Sequence, residues 1–390
     1  MFRVDPDSFK QPAPAIDQLP SALDRPRLIS HDIYRHSRYG PKHPLSIPRV
    51  STAVDLIRAL GWLPDDQFVE GRIATDDELV WFHDPDYLAA LKRVQTTQHA
   101  TDDDRHRYNL GRMENPVFPE MFDRPATACG SSIMAAQMLR DGGVVHHVAG
   151  GTHHGRKARA SGFCYLNDPV FAILALCRQG LSKIAYVDLD AHHGDGVQDA
   201  FHDDHRVFTI SLHEQGRWPQ TGALDDRAGG LARNIPLPKK LHDAEFTHVV
   251  TQAVIPLLQA WQPEALVIQG GCDTLADDPM SGLALTNNSY WQAIASLLPL
   301  SPRILMLGGG GYNPWTLARA WAGVWGVIMK CEMPSILPPA AEDILRQVSW
   351  QHRLAKNAPA HWFTTLVDPA SEERPIRDEI KYAVEQTLAS

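Results

Sequence analysis

The stretch YVDLDAHHGDGVQDAF, from Tyr186 to Phe201, places three aspartates and two histidines within ten residues, directly after an apolar run. Such groups are costly to bury unless they are paired or hold a cation. The segment is therefore either a polar loop in water or a site that binds a metal and moves protons. Side chains two apart on a strand share a face, so Asp188, Asp190 and His192 project together. Asp190 and His192 form a carboxylate–imidazole pair suited to zinc, iron and similar ions. A third ligand has to come from another strand end. There, DTLADDPM offers Asp273, Asp277 and Asp278. Asp278 is the choice, because Pro279 beside it rigidifies the loop. Two aspartates, one histidine and an open position describe a catalytic metal site rather than a structural one.

Proton transfer needs further groups. His153 and His154 follow two glycines in GGTHHG. Paired histidines near a metal suit general acid–base work, because imidazole titrates near neutrality. Each needs a partner on its second ring nitrogen, and Asp188 and Asp195 are the spare carboxylates. His146 and His147 lie inside the preceding strand and read as structural. Tyr312 follows four glycines, where a phenol can donate to a carbonyl oxygen that gains negative charge. No GK[ST] follows those glycines, which excludes a Walker A phosphate loop.

These groups need a frame that brings strand ends together. VVHHVAGG, KIAYVDLD, RVFTISLHE, PEALVIQGGCD and PRILMLGGGG read as strands, and amphipathic segments between them read as helices. Continuous Val/Ile/Leu strands alternating with helices predict an α/β fold with a central, mainly parallel sheet covered on both faces. In such a sheet, ligands bind at the carboxyl ends of the strands. The polar clusters GGTHHG, DLDAHHGDG, SLHEQGRWPQTG, GGCDTLADDP and GGGGYNP all follow predicted strands, so they converge on one crevice. PRVSTAVDLIRALG predicts a helix stopped by Gly61. The segment 96–122 reads as a long polar loop. We expect an irregular N-terminal arm over 1–26, with Pro12, Pro14, Pro20 and Pro26, one catalytic domain over 27–332, and an extension over 333–390 packed against it.

Composition sets limits. The 390 residues carry a net charge of -9 and no Lys/Arg-rich run, which argues against a nucleic-acid groove. The five cysteines are odd in number and contain no CxxC, so neither a disulfide framework nor a thiolate zinc site is expected. No apolar run reaches the length of a membrane span, and a reducing cytoplasm is the expected compartment.

The pieces GGTHHG, SGFCYLND, VDLDAHHGDGVQ, ISLHE, GGCDTLADDPM and LGGGGYN, in this order, resemble the zinc-dependent histone deacetylase superfamily. That group includes the bacterial acetoin-utilisation deacetylases and the acetylpolyamine amidohydrolases, and is related in fold to arginase. The likeness runs from about Arg27 to Met329, and YGPKHPLSIPR and ENPVFPEMF are most similar to the acetoin-utilisation branch. It implies zinc on Asp190, His192 and Asp278. It implies His154 as general base and then acid, oriented by Asp195, and His153 as its electrostatic partner, oriented by Asp188. It implies that Tyr312 polarises the acyl carbonyl. The same likeness implies that Gly162, Phe163 and Trp218 line a tunnel for the acyl-lysine chain and that Arg49 belongs to an internal acetate pocket, and it sets Glu114 where many members hold the substrate backbone with an aspartate. A structural potassium ion is implied at Asp188, Asp190, His192, Ser211 and Leu212, and a second around Phe201 and Val207.

Departures from the family pattern bear on specificity. Thr152 replaces a bulky residue and Gly155 a common alanine, which predicts a wider inner pocket. An arginase-like second metal is disfavoured, because Gly194 stands where that chemistry needs an aspartate. Leu285 is placed at the tunnel mouth, where a polyamine-specific member would carry an acid. The substrate expected is therefore an acetylated protein or peptide, with a small acylated amine as the alternative. A non-catalytic acyl-lysine binder would lack some of these groups, and none is missing.

Overall fold

Short Val/Ile/Leu-rich segments form the frame. In the computed structural model, which describes residues 22–372 and 374–389, they build eight strands: β1 (Arg27–Ser30), β2 (Phe68–Glu70), β3 (Gly143–His147), β4 (Ile184–Asp188), β5 (Val207–Glu214), β6 (Ala232–Leu237), β7 (Ala265–Gln269) and β8 (Arg303–Leu307). They form one sheet in the order β2-β1-β3-β8-β7-β4-β5-β6. Every pairing is parallel. The chain leaves β3 and crosses to β4, and β8 and β7 later fill the gap between them. The carboxyl ends of β3, β8, β7 and β4 thus stand side by side, the position at which open parallel sheets bind ligands.

The pleat divides the core. On β4, Ala185 and Val187 face one apolar cluster while Ile184 and Tyr186 face the other. β7 and β8 alternate in the same way, with Leu266, Ile268, Ile304 and Met306 on the first side and Val267, Leu305 and Leu307 on the second. Helices Val50–Ala59, Asn287–Leu297 and Pro314–Met329 cover the first face, and helices Pro85–Thr97, Asp123–Met138 and Asp168–Arg178 cover the second. Pro85 and Pro169 stand in the first turns of their helices, where the missing N–H costs nothing.

Parts of the frame differ from the sequence expectation. β2 and β6 were not expected. Both are edge strands, one only three residues long, and β6 contains Pro236. The segment 96–122 is not one loop. Thr101 and Asp104 form a reciprocal cap that starts a helix at Asp102–Arg107. Of the expected N-terminal arm, residues 1–21 lie outside the described residues.

The segment after Met329 packs on the first core cluster through Leu337, Ala341, Leu345, Trp362, Leu366, Ile380 and Val384. Fully buried Arg319 donates to the carbonyls of Thr365 and Leu366 at 2.7 and 2.8 Å and pairs with Asp368 at 2.7 Å. Arg377 grips buried Glu245 with two side-chain bonds, at 2.6 and 2.7 Å. Burial alone would raise the Glu245 carboxyl, but the hydrogen bonds from Arg377 outweigh it and hold it below its ordinary 4.5. The ionised carboxylate therefore stabilises the fold above pH 4.5, and that contribution disappears as pH falls through the depressed folded value. Glu245→Gln should cost about 1–3 kcal/mol in denaturant unfolding at neutral pH. The gap to the parent protein should shrink on acidification; an unchanged gap at low pH would contradict the assignment.

Candidate active site

Five strand-end loops meet at the centre of the sheet. Asp188 ends β4, and Asp190 and His192 follow it in an irregular turn. All three are buried. The amide of Asp190 donates to Asp188 Oδ1 at 3.0 Å and the amide of His192 to Asp190 Oδ1 at 3.0 Å, so the turn is folded around its own carboxylates. The loop after β7 adds Asp273, and the glycine loop after β8 closes over the group. The N–H of Gly310 donates to Asp190 Oδ2 at 2.7 Å.

Asp190, His192 and Asp273 bring one ligand atom each to within 4.8 Å of one another. His192 Nδ1 lies 3.1 Å from Asp190 and 3.0 Å from Asp273. Burial opposes a charged His192, yet the hydrogen bonds and charge of the two carboxylates push it up to about 10. The centre is thus strongly negative, and a buried carboxylate–imidazole–carboxylate set fits a divalent ion. The sequence reading selected Asp278 as third ligand, and this tight group contains Asp273 instead. Asp278 is adjacent. Its carboxylate accepts from the amides of Met280 and Tyr312, at 2.8 and 2.7 Å, and burial with the charge of Asp273 raises it to about 7.

The two histidine–aspartate pairs form as expected. His153 Nδ1 meets Asp188 Oδ2 and His154 Nδ1 meets Asp195 Oδ1, each at 2.7 Å. The imidazoles lie against each other, with centroids 3.9 Å apart, yet their environments differ. Burial disfavours charge on both. For His153 the Asp188 and Asp190 carboxylates outweigh it and push the ring up to about 9. For His154 burial and the neighbouring His153 charge dominate and lower it to about 3. One histidine is therefore held protonated and the other held neutral. Asp195 also pairs with Arg156, a contact that sequence reasoning missed.

The same reasoning missed what holds the GGTHHG loop. Asp168 accepts from the amides of Gly151 and Thr152, from the Thr152 hydroxyl and from Ser132. Gln269 donates to the Gly151 carbonyl, and Asn167 to those of His153 and Gly155. The available signal was Asn167-Asp168-Pro169, a helix-start pattern at the end of SGFCYLND. His146 and His147 are buried structural residues, with Nδ1 atoms meeting the Met306 carbonyl and Ser132. His193 bonds Thr221 and Gln198.

A cleft of about 450 Å³ opens from the site to the surface, lined by Glu114, His154, Gly162, Phe163, Trp218, Met280 and Tyr312 among others. Gly162 has φ +53, and a side chain there would strike the Trp218 ring. That close approach seats Trp218 edge-on to His154, with centroids 4.7 Å apart. Phe163 stands edge-on to Tyr312 at 5.9 Å. Glu114 is held by Asn109 at 2.5 Å. Ser211 and Leu212 lie on β5, with Ser211 opposite Asp188 in the ladder. Arg49 lines a second, inner cavity with Tyr312 and Trp321.

Two sequence assignments are corrected here. Leu285 is not at the mouth. It is fully buried, bridged to Leu275, and belongs to the core. The mouth instead carries Glu114, the Glu214–Arg217 ion pair, Lys239 and Met280. Gly155 does not widen the inner pocket, because a side chain there would meet the backbone of Leu166 and Asn167. Thr152 does line that pocket, with its hydroxyl turned onto Asp168.

The histone deacetylase domain profile matches residues 43–328. The acetoin utilization protein AcuC of Bacillus subtilis is 31% identical, with 91% of this chain and 94% of that protein covered. Histone deacetylase 8 of Xenopus tropicalis is 35% identical, with 75% of this chain and 81% of that protein covered. Two crystal structures, of an HDAC homolog from Aquifex aeolicus and of an HDAC homolog complexed with SAHA, each match with a TM-score of 0.89 and 35% identity. Each match covers 93% of this chain and 99% of the other.

The metal group yields a direct test. Asp190→Ala and His192→Ala should each lose the bound divalent ion in elemental analysis. Asp273→Ala and Asp278→Ala, measured side by side, identify the third ligand as the one whose loss lowers metal content more. Full retention in the Asp190 and His192 variants would overturn the site.

Proposed function

This chain belongs to the histone deacetylase family and is a deacetylase, and from that premise we propose that it removes acetyl and related acyl groups from the side-chain amine of acylated lysine in proteins or peptides. The observation that carries this reading is the two buried histidine–aspartate pairs, His153–Asp188 and His154–Asp195, beside a buried metal-binding group. Asp190, His192 and one of Asp273 or Asp278 would hold zinc, which when bound supplies a Lewis acid for the acyl carbonyl and a more acidic water.

The chain's own groups do the rest. Neutral His154 takes a proton from the attacking water on Nε2, because Nδ1 is engaged by Asp195. It then returns that proton to the leaving amine. Asp195 fixes the ring and stabilises its charged form, as the aspartate of a catalytic triad does. Protonated His153 offsets the negative charge that accumulates beside it. Burial raises the Tyr312 phenol far above its ordinary value, so it remains a hydrogen-bond donor to the carbonyl oxygen. Phe163, Trp218 and Gly162 give the acyl-lysine chain an apolar passage, and Glu114 would hold the substrate backbone.

The mixed charge at the mouth supports a peptide substrate over a polyamine, which calls for an acidic entrance. A structural potassium ion would be held by Asp188, Asp190, His192, Ser211 and Leu212, a reading supported by the pairing of Asp188 with Ser211.

Tyr312→Phe should lower kcat on an acetyl-lysine peptide by about 10²–10³-fold with little change in KM. Asp195→Asn should lower kcat by about 10²–10⁴-fold. Unchanged turnover in both would overturn the mechanism. His153 is charged below about 9 and neutral above it, so kcat/KM should decline as pH rises through that value. A flat alkaline profile would remove His153 from this role.

A further inference from the structure

The inner cavity opens at the catalytic histidines, Asp190 and His192, which line it, and runs inward from them to Arg49 and Arg124. Its volume is about 70 Å³, and its lining includes Arg49, Arg124, Tyr34, Tyr39, Ala128 and Thr152. The sequence reading and the mechanism account for one arginine there. The second, Arg124, stands in the first turn of helix Asp123–Met138. Its guanidinium lies 5.0 Å from the centre of the Tyr34 ring and 5.6 Å from that of Tyr39, and donates to the Ser37 carbonyl at 3.3 Å. Arg49 stacks 5.1 Å from Trp321 and 6.0 Å from Tyr312.

Among the described residues neither arginine has a carboxylate within 4.0 Å. The two are close enough to repel, since burial and then neighbouring charge, Arg124 included, lower Arg49. Arg38 adds a third positive charge facing Arg124. Arg49 Nε is buried without a partner. Two like charges sharing a small cavity, with a buried donor left open, cost stability unless an anion meets them. Neutral acetyl-lysine brings no such anion until it is cleaved, and the acetate that the Arg49 pocket would then receive leaves Arg124 without a role.

We propose that this cavity receives an acyl group ending in a carboxylate, so that the enzyme removes malonyl- or succinyl-type groups from lysine, with Arg124 and Arg49 reading the distal carboxylate. The proposal rests on the deacylase reading above and names its substrate class. Size agrees. A water needs roughly 10–15 Å³, so a cavity of about 70 Å³ has room for a short acyl chain of a few heavy atoms. The reaction is the same hydrolysis. The amide C–N bond breaks and the water oxygen joins the acyl carbon. The two water protons end on the leaving nitrogen, giving a lysine ammonium and a free dicarboxylate.

The test compares kcat/KM on one peptide carrying acetyl-, malonyl- or succinyl-lysine, using metal-loaded wild type and the Arg124→Gln and Arg124→Lys variants. The carboxyacyl-to-acetyl ratio should fall by about tenfold or more in Arg124→Gln and recover in part in Arg124→Lys. Hydrolysis of acetyl-lysine alone by wild type, or a ratio unmoved by Arg124→Gln, overturns the proposal. A second readout is independent of turnover: the thermal shift of chelator-treated protein with succinate, malonate or acetate. Succinate or malonate should raise Tm more than acetate in wild type and lose that advantage in Arg124→Gln. Dicarboxylate binding without carboxyacyl hydrolysis, while acetyl-lysine is cleaved, assigns the pocket to a free anion and overturns the proposal. If no peptide is cleaved, the deacylase reading fails; the thermal shift then separately supports or overturns the pocket's preference for a dicarboxylate.

Discussion

Asp188, Asp190, Asp273 and Asp278 are buried side by side at the sheet centre, and carboxylates this close cannot all ionise without positive charge among them. The surrounding structure answers that constraint. His153 neutralises Asp188 and His192 sits between Asp190 and Asp273. Asp278, left with only backbone donors and a charged neighbour, is pushed up to about 7. A divalent ion bound where Asp190, His192 and Asp273 converge would take over from the His192 proton as the positive charge among these acids. The opposite protonation of His153 and His154 follows from the same arrangement. The first histidine spends its charge on the acids, and its charge then disfavours a second one on its neighbour.

A sheet of parallel strands is what makes such crowding possible. Strand ends bring side chains together without long excursions, and the backbone that follows each end is free to hydrogen-bond inward. Asp168 illustrates the requirement. It lies at the start of a helix and gathers the amides of Gly151 and Thr152, so the histidine loop is held by a carboxylate that never faces substrate. Gln269 at the end of β7 ties the same loop from the other side. The acid–base pair is placed by buried polar contacts on both flanks, which limits how far either imidazole can turn.

What was legible in the sequence follows from these rules. Strand alternation and the clustering of polar residues after apolar runs are local patterns, so the central strands and the supply of two aspartates for two histidines could be read directly, whereas the partner of each histidine and the aromatic cleft were implied only by the family resemblance. The failures are positions where three-dimensional proximity is not set by local spacing. Leu285 falls near the mouth in sequence but pairs with Leu275 in the core. The choice between Asp273 and Asp278 as third metal ligand is of the same kind without being a failure: they are five residues apart on a turning loop, and which of them meets the ion depends on how that loop folds back. The edge strands β2 and β6 have one neighbour each, so their apolar signal is weak. Arg124 was invisible because its helix reads as ordinary core packing, and only the path of β1 and its following loop brings Tyr34 and Tyr39 to it.

One peptide group joins the two halves of the site. The carbonyl of Gly309 accepts from Arg49, and the N–H of Gly310, on the same peptide unit, donates to Asp190. A cation at one end and a carboxylate at the other polarise that unit in the same direction, and each bond strengthens the other. The glycines of GGGGYN are explained by this contact rather than by phosphate binding. A side chain at Gly310 would strike the Asp273 and Asp190 carboxylates, and Gly309 has φ +140 and lies against Gly271. Only bare backbone fits between the arginine and the acid. The charge state of the inner cavity is thereby linked to a carboxylate of the metal-binding group through a single rigid plane, without any side chain passing between them.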